Sequence, residues 1–160
     1  MLVLSFGLVT SFGGNEITNN QPEPPKEVAQ PVKQYSVTAT VMTSETGGSK
    51  LADGRRNDAD DRVFCALPSK SALGAVVTIY CPETGKTATD VPVCDVGPHS
   101  IADPYWKKDT RPLAEAGKSD KYGKAKNKAG IDLSLKLCNY LGLKYPYKGK
   151  VTWWFEHSES

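Results

Sequence analysis

Two strand-like segments joined by a tight turn stand in the middle of this 160-residue sequence. The segments AVVTIYC (75–81) and TDVPVCD (89–95) are rich in β-branched residues, and PETGK (82–86) lies between them. The Thr84-Gly85 pair within that linker is typical of a tight turn, so the pattern predicts a β-hairpin. The sequence therefore predicts a fold that contains antiparallel strands.

Further strands are predicted on either side of this hairpin. YSVTATVMT (35–43) is rich in β-branched residues, and GKVTWWF (149–155) reads as a closing strand. Long polar segments at 44–61 and 98–130 separate the strands. The second carries eight Lys and Arg against four Asp and Glu, and we call residues 98–130 the basic segment. Loops of this length in a compact domain are usually functional or mobile.

One helix is predicted, over IDLSLKLCNYLG at 131–142. Leu133, Leu137 and Leu141 fall on one helical face, Gly142 ends the helix, and Asp132 stands where an N-cap or first-turn acid belongs. Several strands and one good helix, spaced by long loops, favour a small closed β-barrel over an alternating α/β sheet.

Composition limits the range of partners. Twenty Lys and Arg against eighteen Asp and Glu leave a net charge of +2, which gives no reason to expect nucleic acid or an anionic membrane surface as a partner. The apolar start at 1–14 is too short to span a bilayer. It resembles the apolar part of a secretory signal, although no Lys or Arg precedes Lys26. A Pro-rich linker is expected at 15–34 and the folded domain at 35–157.

The cysteines favour disulfides over a metal site. The four are Cys65, Cys81, Cys94 and Cys138, with no C-x-x-C pair and only two histidines in the chain. Tetrahedral zinc therefore lacks its usual ligands, and the acidic residues of the 44–61 loop match no calcium-loop signature. We expect disulfides of undetermined pairing, no metal and no cofactor. Buried free thiols are the alternative if the protein is cytosolic.

Two acids interrupt apolar patterns. The period of two along 91–95 places Val91, Val93 and Asp95 on one side of a strand, so Asp95 would extend a core-facing row to the rim of the barrel. Asp132 begins the predicted helix, with an apolar residue on each side. Two carboxyl groups at the ends of barrel elements are expected to share one cleft.

These segments together resemble the RlpA-like (rare lipoprotein A) family. LPSKSALGAVVTIYCPETGKTATDVPVCDVGPH, GIDLSLKLCNYLG and the closing GKVTWWF follow that family's pattern in order over about residues 65–155, interrupted by the basic segment. The resemblance implies a mainly β fold, a six-stranded double-psi β-barrel with one good helix and long loops. A similar barrel occurs in expansins, family 45 endoglucanases and membrane-bound lytic transglycosylase A.

The resemblance also implies candidate catalytic residues. Asp132 corresponds to the usual general acid/base of such barrels, Asp95 lies in the same cleft, and Asp58 is a third candidate. A general acid needs a raised pKa so that it keeps its proton near neutral pH. A second carboxylate nearby raises the pKa of the first by charge repulsion. Three positions depart from the family pattern, because Arg55 replaces a glutamate, Val96 an arginine and His99 an aromatic residue.

Candidate substrate-binding residues lie in or beside the basic segment. His99 is a candidate sugar contact, or else a solvated histidine. Tyr105 and Trp106 could stack against a sugar ring or pack the segment onto the barrel.

Three functions are open at this point. The first is a secreted, periplasmic or cell-wall-associated monomer that cleaves peptidoglycan or a cellulose-like polysaccharide, as a lytic transglycosylase or glycoside hydrolase. The second is a non-catalytic, expansin-like polysaccharide-binding or wall-loosening module. The third is an effector or protease-inhibitor-like scaffold held by disulfides.

Overall fold

The computed structural model describes residues 31–98, 102–120, 123–124 and 127–157. The predicted apolar start (1–14) and most of the predicted linker (15–34) lie outside these ranges. His99 lies outside them as well. Residues 31–34, at the end of the predicted linker, have no regular secondary structure.

The described chain is mainly β. The elements, in chain order, are β1 (Tyr35–Met42), β2 (Cys65–Leu67), a 3₁₀ turn (Lys70–Ala72), β3 (Val76–Cys81), β4 (Lys86–Val96), α1 (Tyr105–Lys108), β5 (Ser119–Asp120), β6 (Gly123–Lys124), β7 (Ile131–Ser134), α2 (Leu135–Tyr140) and β8 (Lys148–Phe155). Six strands close a barrel in the order β1-β7-β2-β4-β3-β8, and β5 and β6 form a separate small hairpin. The prediction of a mainly β, six-stranded barrel with long loops is confirmed.

The barrel combines antiparallel and parallel pairs. The predicted β3–β4 hairpin is present, and the Gly85 N–H donates to the Cys81 carbonyl at 2.9 Å in its turn. β8 closes the barrel by pairing with both β1 and β3. The parallel pairs are β1 with β7 and β2 with β4. Alternate residues of these strands fill the interior, as the period of two requires.

The predicted helix begins later than its leucine spacing indicates. Residues 131–134 form β7, and Ser134 caps α2 by accepting a hydrogen bond from the Leu137 N–H at 3.2 Å. Asp132 is therefore a strand residue, and its prediction as a helix N-cap was wrong. Pairing of β7 with a strand on each side satisfies its backbone groups and outweighs the helical period. Gly142, with φ +76°, ends the helix as predicted.

The cysteines are free thiols, contrary to the expected disulfides. Cys65, Cys81 and Cys138 are buried in the barrel core. Cys94 belongs to a second buried cluster, which also contains Met42 and Ala66. Burial raises the pKa of the Cys138 thiol to about 11. The cysteines therefore act as small apolar packing residues in this structure.

A buried glutamate fastens the basic segment to the barrel. Glu115 accepts a hydrogen bond from the Thr38 N–H of β1, and its carboxylate lies 3.3 Å from Arg111 Nε and 3.6 Å from Lys150 Nζ. Its side chain is 2% exposed. Burial alone would raise the pKa of this carboxyl, but the Thr38 hydrogen bonds and the two cations bring the pKa below its ordinary value.

Replacement of this residue, Glu115→Gln, is expected to lower the free energy of unfolding at pH 7 by about 1–3 kcal/mol, because it removes the charge from a buried hydrogen-bonded site. Since the pKa is lower in the folded chain, the stabilisation is present above the unfolded-state pKa of about 4.3 and is lost as the pH falls through the folded-state pKa. Urea unfolding from pH 7 to pH 2 should therefore show a shallower pH dependence for Glu115→Gln than for the wild type. The exposed Glu45→Gln variant is the control, and equal pH profiles for the wild type and Glu115→Gln would contradict the assignment.

Candidate functional site

One pocket beside the barrel contains both acids that the sequence analysis placed in a common cleft. Its volume is about 370 Å³, which is in the range of small-ligand sites. We call it the acid pocket, and its lining residues are Val41, Met42, Thr46, Gly47, Asp95, Val96, Gly97, Asn127 and Asp132. Asp95 and Asp132 thus line one pocket, as the sequence predicted.

Strand pairing explains why the two acids meet. Strand β2 lies between β4 and β7, and Ala66 of β2 is paired with Asp95 on one side and with Asp132 on the other. Neighbouring strands are about 4.7–4.9 Å apart, so the two acid Cα atoms are separated by roughly 10 Å across three strands. Chain segments that are 37 residues apart in sequence are thereby held in a fixed register.

A β-bulge sets the direction of Asp95. Cys65 pairs with Val93 and Ala66 pairs with Asp95, so Cys94 has no partner of its own in the ladder. Val93 faces the barrel core, whereas Cys94 lies in the second buried cluster. The expectation that Asp95 continues the core-facing row of Val91 and Val93 therefore fails. Bulges redirect side chains in this way, and here the acid is turned into the acid pocket.

The Asp132 carboxylate is held by side chains from two other parts of the chain. The Thr40 hydroxyl donates to Asp132 Oδ1. Thr40 is the residue of β1 that pairs directly with Asp132 of β7. Asn127 Nδ2 lies 3.5 Å from the same oxygen and 3.1 Å from Thr40 Oγ1. Asp132 is partly exposed, so its carboxyl group is both fixed and accessible.

Asp95 has a different environment. Its Oδ1 accepts a hydrogen bond from the Ala52 N–H at 2.8 Å, which links it to the 44–61 loop. Burial raises the pKa of the Asp95 carboxyl above its ordinary value, and the nearby Asp53 charge adds to the rise, while the N–H groups of Val96 and Ala52 oppose it. A carboxyl with a raised pKa retains its proton to higher pH, so Asp95 carries a negative charge over a narrower pH range than an ordinary aspartate.

The third candidate acid, Asp58, is not among the residues that line the acid pocket. It forms a multiply hydrogen-bonded ion pair with Arg62, with Arg62 Nη2 to Asp58 Oδ1 at 2.7 Å. The Arg62 guanidinium lowers the pKa of Asp58 below its ordinary value. Asp58 is therefore held ionised by its partner, in an arrangement that stabilises the loop.

Arg55, which replaces the family glutamate, joins the same loop network. Its guanidinium pairs with Asp53, with Nε to Oδ2 at 2.8 Å. Nη2 of Arg55 also lies 3.1 Å from Cys94 Sγ, and Nη1 of Arg62 lies 3.4 Å from that sulfur. Both arginines thus contact Cys94, the bulged residue of β4, and hold the loop before β2 against that strand.

Tyr105 and Trp106 are buried, with 1% and 3% exposure. The Tyr105 hydroxyl accepts a hydrogen bond from Trp153 Nε1 at 2.9 Å and donates to the Gly130 carbonyl at 3.1 Å. Their rings pack against each other and against Trp153. The proposed sugar-stacking wall is therefore not formed by these residues, because their faces are covered. They pack the basic segment onto the barrel, which was the stated alternative.

Thr40 and Asn127 are site residues that the sequence did not predict. A strand period of two places Thr40 on the opposite side of β1 from the buried Val37 and Ala39, but it gives no reason to connect Thr40 with Asp132. Asn127 lies in an irregular segment, and no pattern in the sequence marks it. Across the described ranges, no three His, Cys, Asp or Glu side chains come together as a metal-binding group. None of the helices within those ranges is long and apolar enough to cross a membrane.

Comparisons with known proteins give a family and one similar structure. The family model that matches residues 33–152 is described as a domain of unknown function (DUF8814). No RlpA-like or expansin family match accompanies it. No curated protein matches the chain. Streptomyces papain inhibitor is a similar solved structure, with a TM-score of 0.46 and 18% sequence identity, over 79% of this chain and 98% of that one.

The contrast between Asp95 and Asp58 leads to a prediction about stability. Because the pKa of Asp95 is raised in the folded chain, ionisation of this group opposes folding, and stability is lost as the pH rises through the folded-state pKa. The variant Asp95→Asn should therefore be as stable as the wild type or more stable at pH 7 in urea unfolding.

Asp58→Asn is the matched variant on the other acid. It should be less stable than the wild type at pH 7, by about 1 kcal/mol or less, because the ion pair with Arg62 is partly exposed and screened by solvent. A loss of stability in Asp95→Asn as large as that in Asp58→Asn would show that Asp95 serves the fold and not the pocket.

Proposed function

We propose that this chain, which belongs to the DUF8814 family, is a polysaccharide-acting protein whose acid pocket carries the chemistry. The observation that carries this proposal is the placement of Asp95 and Asp132 on either side of Ala66, in one pocket. In the proposed reaction Asp132 is the general acid/base for cleavage of a glycosidic bond, and Asp95 is the second carboxyl. The finer assignment to an RlpA-like double-psi barrel belongs to the same proposal.

The spacing of the acids supports glycan chemistry. Inverting glycosidases hold two carboxyl groups about 6.5–9.5 Å apart, and retaining enzymes hold them about 5–5.5 Å apart. The Cα separation of roughly 10 Å across β7, β2 and β4 allows the inverting distance when the side chains converge on the pocket. A lytic transglycosylase needs a single acid/base, because the 6-hydroxyl of the sugar itself replaces water as the nucleophile.

The electrostatics of the pair also support the proposal. Two carboxyl groups that share a pocket disfavour simultaneous ionisation, so one of them retains a proton nearer to neutral pH. Burial and the nearby charge of Asp53 raise the pKa of Asp95, so this carboxyl group retains its proton to a higher pH than an ordinary aspartate. Protonation of the glycosidic oxygen by one acid, with the other ionised, is the chemistry that this arrangement favours.

A second candidate function is a non-catalytic, expansin-like binding module. The observation that favours it is the Arg55–Asp53 ion pair, which stands where the RlpA-like pattern has a glutamate. The loop beside the pocket then holds a paired cation instead of an additional acid. A disulfide-held scaffold is less well supported, because the four cysteines of this chain are free thiols. A secreted, periplasmic or cell-wall-associated location is part of the proposal in either case.

The test is a mass-spectrometric product assay with the full chain on peptidoglycan, isolated glycan strands and cellulose. The wild type is expected to generate anhydro-sugar ends if it is a transglycosylase, or reducing ends if it is a hydrolase. Asp132→Asn should lower the rate at least about 100-fold, because the proton donor and acceptor is removed. The exposed acid variant Asp61→Asn is the matched control and should keep the wild-type rate.

The outcomes separate the two candidate functions. Products that persist unchanged in Asp132→Asn would exclude this residue as the acid/base. Binding to a glycan without any product, equally in the wild type and in Asp132→Asn, would establish the non-catalytic module. Neither binding nor products on any of the three substrates would reject polysaccharide as the partner.

A further inference from the structure

Three polar side chains form a hydrogen-bonded chain at the acid pocket, and two of them, Asn127 and Asp132, line the pocket itself. Asn127 Nδ2 donates to Thr40 Oγ1 at 3.1 Å, and the Thr40 hydroxyl donates to Asp132 Oδ1. The same Asn127 nitrogen lies 3.5 Å from Asp132 Oδ1. The three residues come from β1, from the basic segment and from β7, so the chain connects separate parts of the fold.

The direction of these hydrogen bonds determines the orientation of the Asn127 amide. An ionised carboxylate only accepts, so the single Thr40 hydroxyl proton is used on Asp132. Thr40 Oγ1 must then accept from Asn127, which requires that Asn127 present its nitrogen and not its oxygen. Asn127 Oδ1 is consequently turned away, and this buried oxygen has no hydrogen-bond partner among the residues that the structure describes.

This orientation has a cost for the fold. A buried acceptor without a partner destabilises a protein, and native structures contain few of them. An apolar side chain of similar size, such as leucine, would avoid that cost at position 127. The presence of an asparagine therefore points to a use for its nitrogen, which is the group that contacts Thr40 and Asp132.

We propose that Thr40 and Asn127 are positioning residues that orient the Asp132 carboxyl group for the glycan chemistry of the acid pocket. This inference rests on the proposed function of the same site. With donors from two directions on Oδ1, the carboxyl group is restrained from rotating, and small displacements of a reacting group are costly in rate. Because Asn127 lies in the basic segment, docking of that segment completes the site.

The first test combines stability with activity in the full chain. Asn127→Leu and Thr40→Val are expected to slow glycan product formation about 10- to 100-fold, whereas Thr40→Ser, which keeps the hydroxyl, should remain close to the wild type. The thermal unfolding midpoint of Asn127→Leu should equal or exceed that of the wild type. A residue with a structural role alone would show the opposite pattern, with lower stability and an unchanged rate per folded molecule.

The matched controls are Asn139→Ala on the exposed face of α2 and Thr152→Val on β8, neither of which lines the acid pocket. Both should keep the wild-type rate. A wild-type rate in Asn127→Leu or in Thr40→Val would overturn the proposal. If Asn127→Leu does not fold, Asn127→Ala and the comparison of Thr40→Val with Thr40→Ser decide the same question.

A second test does not depend on glycan. The side-chain amide protons of Asn127, followed by NMR, are expected to exchange slowly with solvent in the wild type. Their exchange should accelerate at least about tenfold in Asp132→Ala and in Thr40→Val, but not in Thr152→Val. Exchange that is insensitive to both substitutions would overturn the positioning role. If the exchange pattern holds while no glycan is processed, the proposed function fails and the positioning contact stands.

Discussion

Closure of six strands into a barrel restricts the register of every strand in it. Each barrel strand pairs on both sides, so no strand can shift its register without breaking two ladders. The three-residue strand β2 shows this most clearly. It is completely buried between β4 and β7. Ala66 of β2 pairs with Asp95 of β4 and with Asp132 of β7, so β2 determines which residues of those two strands lie at the same level. The acid pocket exists because of that register.

The long loop before β2 is organised by polar contacts on the outside of the barrel. Asn57 is buried and donates to the carbonyls of Thr43 and Gly48 at 3.1 and 2.9 Å. Beneath this loop lies the second buried cluster, which includes Phe64 and Cys94. Because the loop also presents the Ala52 N–H to Asp95, the packing of an apolar cluster and the orientation of a candidate catalytic acid depend on the same segment.

The acid pocket shows the usual tension between stability and function. One of its acids has a pKa that burial has raised, and the buried Asn127 amide oxygen has no partner within the described part of the chain. Away from the pocket, two ion pairs stabilise the fold, namely Asp58 with Arg62 and Glu115 with Arg111. Polar burial of this kind is expected where a fold gives up stability for a site, and among the described residues it also occurs outside the pocket, at Trp106 Nε1 and the Tyr147 hydroxyl.

Local patterns in the sequence were enough to predict the β-rich class, the β3–β4 hairpin, the glycine that ends α2 and the two acids that meet in the pocket. These features depend on local turn chemistry, on the period of two and on a motif order that is readable in one dimension. Pairing between distant segments is the reason that residues 131–134 form a strand, that a bulge redirects Asp95, and that Thr40 and Asn127 reach Asp132. Strand pairing overrides the helical spacing of the leucines because it satisfies backbone groups on both sides of β7, and contacts between segments about 90 residues apart leave no periodic signal.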